Sequence, residues 1–224
     1  MNSNHYGVAG VCRSAWTIRA RRLTHQLLGK IRDRERARLV RRIRDLEAEN
    51  SRLTQLAFTD DLTGAYNRRH FDDQFRHDSA LRARRHSLAF CLFDIDHFKA
   101  YNDSYGHGAG DDALRLIARV VMSQLRQDQD LLFRMGGDEF CVLLFMDSAA
   151  MALRIIDRVR HKVRELGLPH PHGRDGVLTV SFGVVWHDRH SAVMAPHRQL
   201  YLDADRVLYE AKRSGRDQIK LMAI

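Results

Sequence analysis

Two glycines followed by two acids, Gly136-Gly137-Asp138-Glu139, separate the apolar runs Leu131–Phe133 and Phe140–Phe145. Two β-forming runs joined by so short a glycine-bearing link predict an antiparallel hairpin. A third continuous apolar run, Leu88–Phe93, suits a central strand and ends in Asp94-Ile95-Asp96-His97-Phe98-Lys99. Helical spacing recurs over Leu114–Leu125, Ala149–Leu166 and Leu200–Arg213, with further strands expected over Val177–Trp186 and Gln218–Met222. This order predicts an α/β sandwich, in which helices cover a central mixed sheet.

Composition narrows the class. The chain has 224 residues, 44% hydrophobic, with only 3 prolines, which excludes collagenous, mucin-like and wholly disordered proteins. Its cysteines, Cys12, Cys91 and Cys141, are odd in number and lack Cys-x-x-Cys spacing, as expected of reduced thiols in a cytoplasmic protein. No window is long and apolar enough for a membrane span. The stretch Tyr6–Ile18 is too short, and carries Arg13, to serve as a signal core.

The net charge of +9 is unevenly placed. Residues 1–57 hold 13 Lys and Arg against 5 Asp and Glu, leaving 24 against 23 in the remainder. The body is therefore nearly neutral, and nucleic-acid binding is not expected of it. Residues 1–22 read as a poorly ordered basic arm. Residues 23–57 contain no proline and read as one long helix. Within it Leu39, Leu46 and Leu53 fall at d positions and Ile43, Asn50 and Ala57 at a positions of a heptad. A lone Asn at an a position favours a parallel two-stranded coil, so the helix is expected to be a dimerising stalk. Two other readings stay open: a basic zipper on DNA, against which the seam is short and Asp33 and Glu35 interrupt the basic stretch, and a solvated helix packed on its own domain.

The body, residues 58–224, carries the chemistry. Asp94 stands where a buried strand ends, and Asp138 and Glu139 stand on a hairpin. If those edges adjoin, the three acids form an all-oxygen site suited to Mg²⁺ completed by substrate phosphates. As the alternative such acids merely cap and turn, and for Asp96, directly before a helix start, N-capping is the expected role. Lys99, Lys212 and Arg216 are three separated cations that suit a triphosphate, although any one alone reads as a surface charge. Gly106-His107-Gly108-Ala109-Gly110 resembles a dinucleotide loop, but Asp111 and Asp112 follow at the expected helix N-terminus and would repel phosphate. A carboxylate at Asp111 instead matches the N1–H and N2 donors of guanine, and the Asn102 amide can bond its remaining edge. His170 with His172, and His187 with His190, have only loose metal-ligand spacing.

Four segments in order carry a family resemblance: Asp60–Arg69, Phe93–Asp103 continuing to Gly106–Asp111, Arg134–Phe140, and Tyr209–Arg216. Over about residues 58–224 the chain resembles the GGDEF family of diguanylate cyclases. The resemblance implies a fold related to nucleotidyl-cyclase and polymerase palm domains. It implies condensation of two GTP molecules into cyclic di-GMP, with release of two pyrophosphates, at the interface of a homodimer. By motif position Asp94, the Ile95 carbonyl and Asp138 would hold Mg²⁺, or Mn²⁺ in its place, with Glu139 in support. Asn102 and Asp111 would read guanine, while Lys99, Lys212 and Arg216, with backbone N–H groups near His97 and Phe98, would hold the phosphates. Asp138 or the metal alone would activate the ribose 3′-hydroxyl. The alternative is a catalytically silent domain that holds GTP or cyclic di-GMP. The family's product-inhibition motif, Arg-x-x-Asp, reads Gln127-Asp128-Gln129-Asp130 here, which implies weak feedback inhibition. No sensor domain is legible ahead of the stalk, so the input would be the arm, an activating partner bound through residues 1–57, or expression level alone.

Overall fold

The computed structural model describes residues 35–77, 87–127, 129–191 and 196–224. The expected arm and the first part of the stalk lie outside the described residues. Two compact units are present, residues 1–54 and 55–224. In the described part of the first, the chain is helical, and this helix, α1, runs over 35–58. Leu39, Ile43, Leu46 and Leu53 on it are all more than half exposed. An apolar seam in water is unfavourable by the area it leaves wetted, and a second helix would remove that cost.

The second unit is built on a six-stranded sheet. Its elements run β1 (Tyr66–Asn67), α2 (Arg68–His77), β2 (Ser87–Ile95), α3 (Phe98–Tyr105), α4 (His107–Gln124), β3 (Leu131–Gly136), β4 (Glu139–Met146), α5 (Ala149–Glu165), β5 (Val180–His187), α6 (His197–Arg213) and β6 (Ile219–Ala223). The strands lie in the order β1-β3-β4-β2-β5-β6. β2 pairs antiparallel with β4 and β5, while β1 on β3 and β6 on β5 are parallel. The mixed sheet with helices on both faces is the expected α/β sandwich.

β2 lacks polar alternation because both its faces are covered. Ala89, Cys91 and Phe93 face a core shared with α3, α4 and α5, and Phe90 and Leu92 face one shared with α2 and α6. Phe93 stacks on Phe140 at 5.0 Å between ring centroids and meets Phe182 at 4.9 Å, tying the three central strands together. All three rings are fully buried, and truncation of such a ring to Ala costs about 3–5 kcal/mol.

Several expectations need correction. The glycine-rich stretch is not a loop before a helix: α4 already begins at His107, so Asp111 and Asp112 lie in its second turn. Glycines weaken helix propensity and hide the period, but α4 gains its stability from burying Ala113, Leu114, Ile117 and Val121. β5 begins at Val180 and not Val177, because Val177 is held in an isolated bridge to Pro169 after a tight turn at Arg174–Gly176. β1 and α2 leave little periodic signal, being short or poor in apolar residues.

Candidate active site

Asp94 lies at the end of β2 directly opposite Glu139, the first residue of β4. Facing residues of an antiparallel pair share one face of the sheet, here the face that α6 covers. From the last turn of α6, Lys212 Nζ reaches Asp94 Oδ2 at 2.9 Å. Burial pushes the Asp94 carboxyl up to about 6; the Lys212 ammonium pulls the other way, and the charges of Asp138 and Asp96 push it further up. The site thus concentrates negative charge at the strand end, offset chiefly by Lys212.

The hairpin tip that carries Asp138 is braced from outside. Gly136 and Gly137 have φ of 147° and 58°, values L side chains rarely adopt. Arg134 donates from Nε and Nη2 to the Gly137 carbonyl at 3.0 and 2.8 Å, and from Nη1 to Asp60 Oδ1 at 3.0 Å. Asp60 also accepts from the Thr63 N–H at 2.9 Å and hydroxyl at 2.6 Å. Burial alone would raise the Asp60 carboxyl, but these bonds and the guanidinium charge hold it below its ordinary value. The peptide preceding Asp138 is therefore fixed by a turn more than seventy residues away.

Glu139 is engaged by a residue the motif did not suggest. Its Oε1 accepts from the Tyr201 hydroxyl at 2.8 Å, and burial together with the Glu139 charge pushes Tyr201 up to about 12, so it stays a donor. Among the described residues no three or more His, Cys, Asp or Glu side chains form a group that could hold a metal. Asp94 and Glu139 nonetheless face each other across β2 and β4, and the Asp138 charge acts on Asp94. Two carboxylates in a partly dry setting, with hard oxygen donors, still fit a divalent ion that completes its shell from substrate phosphates.

The loop leaving β2 is the second wall. Asp96 does not cap α3 as expected: the cap residue is His97, left-handed at φ 57°, with no side-chain capping bond. Asp96 is buried and accepts from Thr179 Oγ1 and Ser181 Oγ, each at 2.7 Å, and from the Asp217 N–H at 3.1 Å. Its carboxylate is consumed inside the protein because Thr179, directly before β5, and Ser181, within it, turn their hydroxyls to it. The His97 ring is held below its ordinary value by burial and by the charge of Arg216, and the Asp217 N–H bond to Asp96 brings residue 216 to this loop. Phe98 is buried and Lys99 exposed in the first turn of α3, whose free N–H groups favour anions. Buried His170, with Nε2 3.2 Å from the His97 carbonyl and Nδ1 accepting from the His172 N–H at 3.3 Å, braces this turn.

Asn102 on α3 lies against α4. Its Oδ1 is buried without a hydrogen-bond partner, a costly state. The fit leaves no room: a Cβ on Gly110 would stand 1.8 Å from that oxygen. Asp111, one residue on, is exposed. Away from the site, Arg126 binds Asp130 through Nε at 3.0 Å and Nη2 at 2.8 Å, and donates to the Phe145 carbonyl at 2.6 Å. Asp130, the surviving acid of the product-inhibition motif, is therefore buried in an internal ion pair.

Comparison with known proteins gives the family. The family model described as "Diguanylate cyclase, GGDEF domain" matches residues 57–218. Diguanylate cyclase DgcP of Pseudomonas aeruginosa is 36% identical over 168 residues, covering 75% of this chain and 24% of that protein. The chain spans less than half the length of the first curated relatives it matches. The crystal structure of diguanylate cyclase SiaD from Pseudomonas aeruginosa, in complex with its activator SiaC, is similar with a TM-score of 0.74 and 32% identity. That likeness covers 96% of this chain and 82% of SiaD. The coiled coil and GGDEF domain of DgcB from Caulobacter crescentus, in complex with c-di-GMP, is similar with a TM-score of 0.67 and 28% identity, over 83% and 98% of the two chains. With the signature acids on a braced hairpin beside the end of β2, and the family's ordered segments around them, the chain belongs to the GGDEF family of diguanylate cyclases.

Proposed function

We propose that this chain condenses two GTP molecules into cyclic di-GMP, releasing two pyrophosphates, across a pair of protomers. The observation that carries the reading is the junction of Asp94, the hairpin acids and Lys212 at one end of the sheet. Asp94, the Ile95 carbonyl and Asp138 would hold the divalent ion, Mg²⁺ or Mn²⁺, with Glu139 in support. Bound there, the ion would offset triphosphate charge and acidify a nearby hydroxyl.

The chain's own groups do the rest. Lys99, Lys212, Arg216 and the N–H groups at His97 and Phe98 receive the phosphates. Lys212 is shared with Asp94 before substrate arrives, and its ammonium turns from carboxylate to phosphate on binding. The Asn102 amide bonds one edge of guanine, and Asp111 accepts from its N1–H and N2 amino group. Asp138 is the candidate base for the ribose 3′-hydroxyl. That oxygen attacks the α-phosphorus of the GTP on the facing protomer in line, and positioning supplies most of the rate.

One protomer holds half the reaction, so a two-fold pair is required. The exposed seam of Leu39, Ile43, Leu46 and Leu53 supports pairing through α1, which raises the effective concentration of one half-site for the other. Among the described residues no helix is long and apolar enough to cross a membrane. We assign the domain to the cytoplasm, where GTP is abundant, with an activating partner acting through residues 1–57. The test is incubation with GTP and Mg²⁺: cyclic di-GMP with two pyrophosphates per product supports the reading. GTP bound without turnover would favour a silent binding module.

A further inference from the structure

Beyond the groups that touch substrate, the loop after α6 contains an unexpected backbone. Arg216 and Asp217 are both left-handed, at φ 58° and 47°. Each such residue costs about 1–2 kcal/mol unless it is glycine, with Asp tolerating the region better than Arg. Two in succession persist only where the surroundings over-determine them.

Asp217 is where that determination occurs. Its side chain is 3% exposed and lies between two guanidiniums of α5. Arg160 Nη1 donates to Asp217 Oδ1 at 2.9 Å and to its carbonyl at 3.1 Å, while Arg164 pairs with Oδ2. The Asp217 N–H donates to Asp96, the buried acid between Asp94 and His97. The Arg216 N–H closes α6 on the Ala211 carbonyl at 3.2 Å. One residue thus joins α5, the end of α6 and the β2–α3 loop, immediately beside the cation assigned to the triphosphate.

We infer that Asp217 is a positioning residue: held by Arg160 and Arg164 and joined to Asp96, it keeps Arg216 in the left-handed backbone that aims it at the phosphates. The inference rests on the proposed phosphate role of Arg216. Without the carboxylate, residues 216–217 relax toward ordinary backbone angles and Arg216 leaves the His97 turn. Affinity should then fall for ligands with a triphosphate and not for the guanosine part, which Asn102 and Asp111 contact on α3 and α4.

The test compares 3′-deoxy-GTP, which binds but lacks the attacking hydroxyl, with GMP, both by NMR titration of the full chain. Asp217→Asn keeps a residue that tolerates the left-handed region but removes the charge. It should weaken 3′-deoxy-GTP about tenfold, or about 1.4 kcal/mol, and leave GMP within about twofold. Arg164→Gln, on the partly exposed side of the clamp, should act in the same direction more weakly, and it decides the matter if Asp217→Asn does not fold. Equal weakening of both ligands, or of neither, overturns the inference. Arg216→Ala in parallel separates the two ideas: if it leaves 3′-deoxy-GTP unaffected, the phosphate role itself fails; if it weakens that ligand while the Asp217 and Arg164 variants do not, only the positioning role fails.

Discussion

Asp94→Asn should make the metal-free domain more stable while abolishing synthesis. The Asp94 carboxyl is raised from 3.8 to about 6, with burial the largest cause, Lys212 opposing it and Asp138 adding to it. A folded state that binds a proton more tightly than the unfolded chain loses stability as pH rises between the two values. Here that window runs from 3.8 to about 6, and above it the ionised side chain destabilises the fold. Two units at about 1.4 kcal/mol each set a ceiling near 3 kcal/mol, and relaxation around the partly exposed carboxylate reduces it to about 1–3 kcal/mol. Asparagine is neutral at every pH and avoids this cost. For a domain of this size each kcal/mol moves the midpoint by about 2–4 °C, so the variant should melt several degrees higher near neutral pH. The assay is thermal unfolding with a chelator present, at pH values spanning the window. The gain should shrink as pH falls through the window, because wild-type Asp94 then carries its own proton. A variant less stable than wild type at neutral pH, or a gain undiminished in acid, would refute the reasoning.

Other perturbations follow from particular contacts. Gly110→Ala would drive a methyl to within 1.8 Å of Asn102 Oδ1; KM for GTP should rise about tenfold or more, the guanine contact being worth about 1–3 kcal/mol, measured by steady-state kinetics. Asp60→Asn should cost about 1–3 kcal/mol at neutral pH through the charge-assisted bonds to Arg134. Because the Asp60 carboxyl is held below its ordinary 3.8, that difference is present above this value and disappears as pH falls through the lowered one, which acid unfolding would follow. Replacing Asn50 and Leu53 by Asp should convert dimer to monomer in sedimentation and lower specific activity, since charge at a and d positions opposes the seam. Asp130 is locked on Arg126, so added cyclic di-GMP should inhibit wild type and Asp130→Ala equally weakly; strong inhibition lost in the variant would contradict this.

What the sequence made legible follows physical signal strength. β2 and β4 are continuous apolar runs bounded by acids or glycine, and the hairpin between β3 and β4 forms where the glycine pair demanded it. Lys212 and Asp94, which the motifs assign separately to phosphate and metal, pair with each other here. Roles that depend on distant partners were hidden. Asp96 looked like a helix cap because Thr179 and Ser181 lie more than eighty residues away, and nothing local marks them as its donors. Tyr201 lies in the helix expected over Leu200–Arg213, and nothing local marks its hydroxyl as the donor to Glu139 on β4. The left-handed pair at Arg216 and Asp217 carries no glycine or asparagine to announce it, and only the α5 arginines explain it. Asn102 stood out in the sequence only as a candidate for guanine, whereas the reason Gly110 must lack a side chain appears only where α3 meets α4.

The most direct test of paired half-sites is cyclic di-GMP formation from GTP and Mg²⁺ measured over a wide dilution series of the chain. Turnover per protomer should climb with protein concentration and level off once pairing is complete. Constant turnover down to concentrations where sedimentation finds only single chains would contradict the two-protomer mechanism, and no product at any concentration would contradict the synthesis itself.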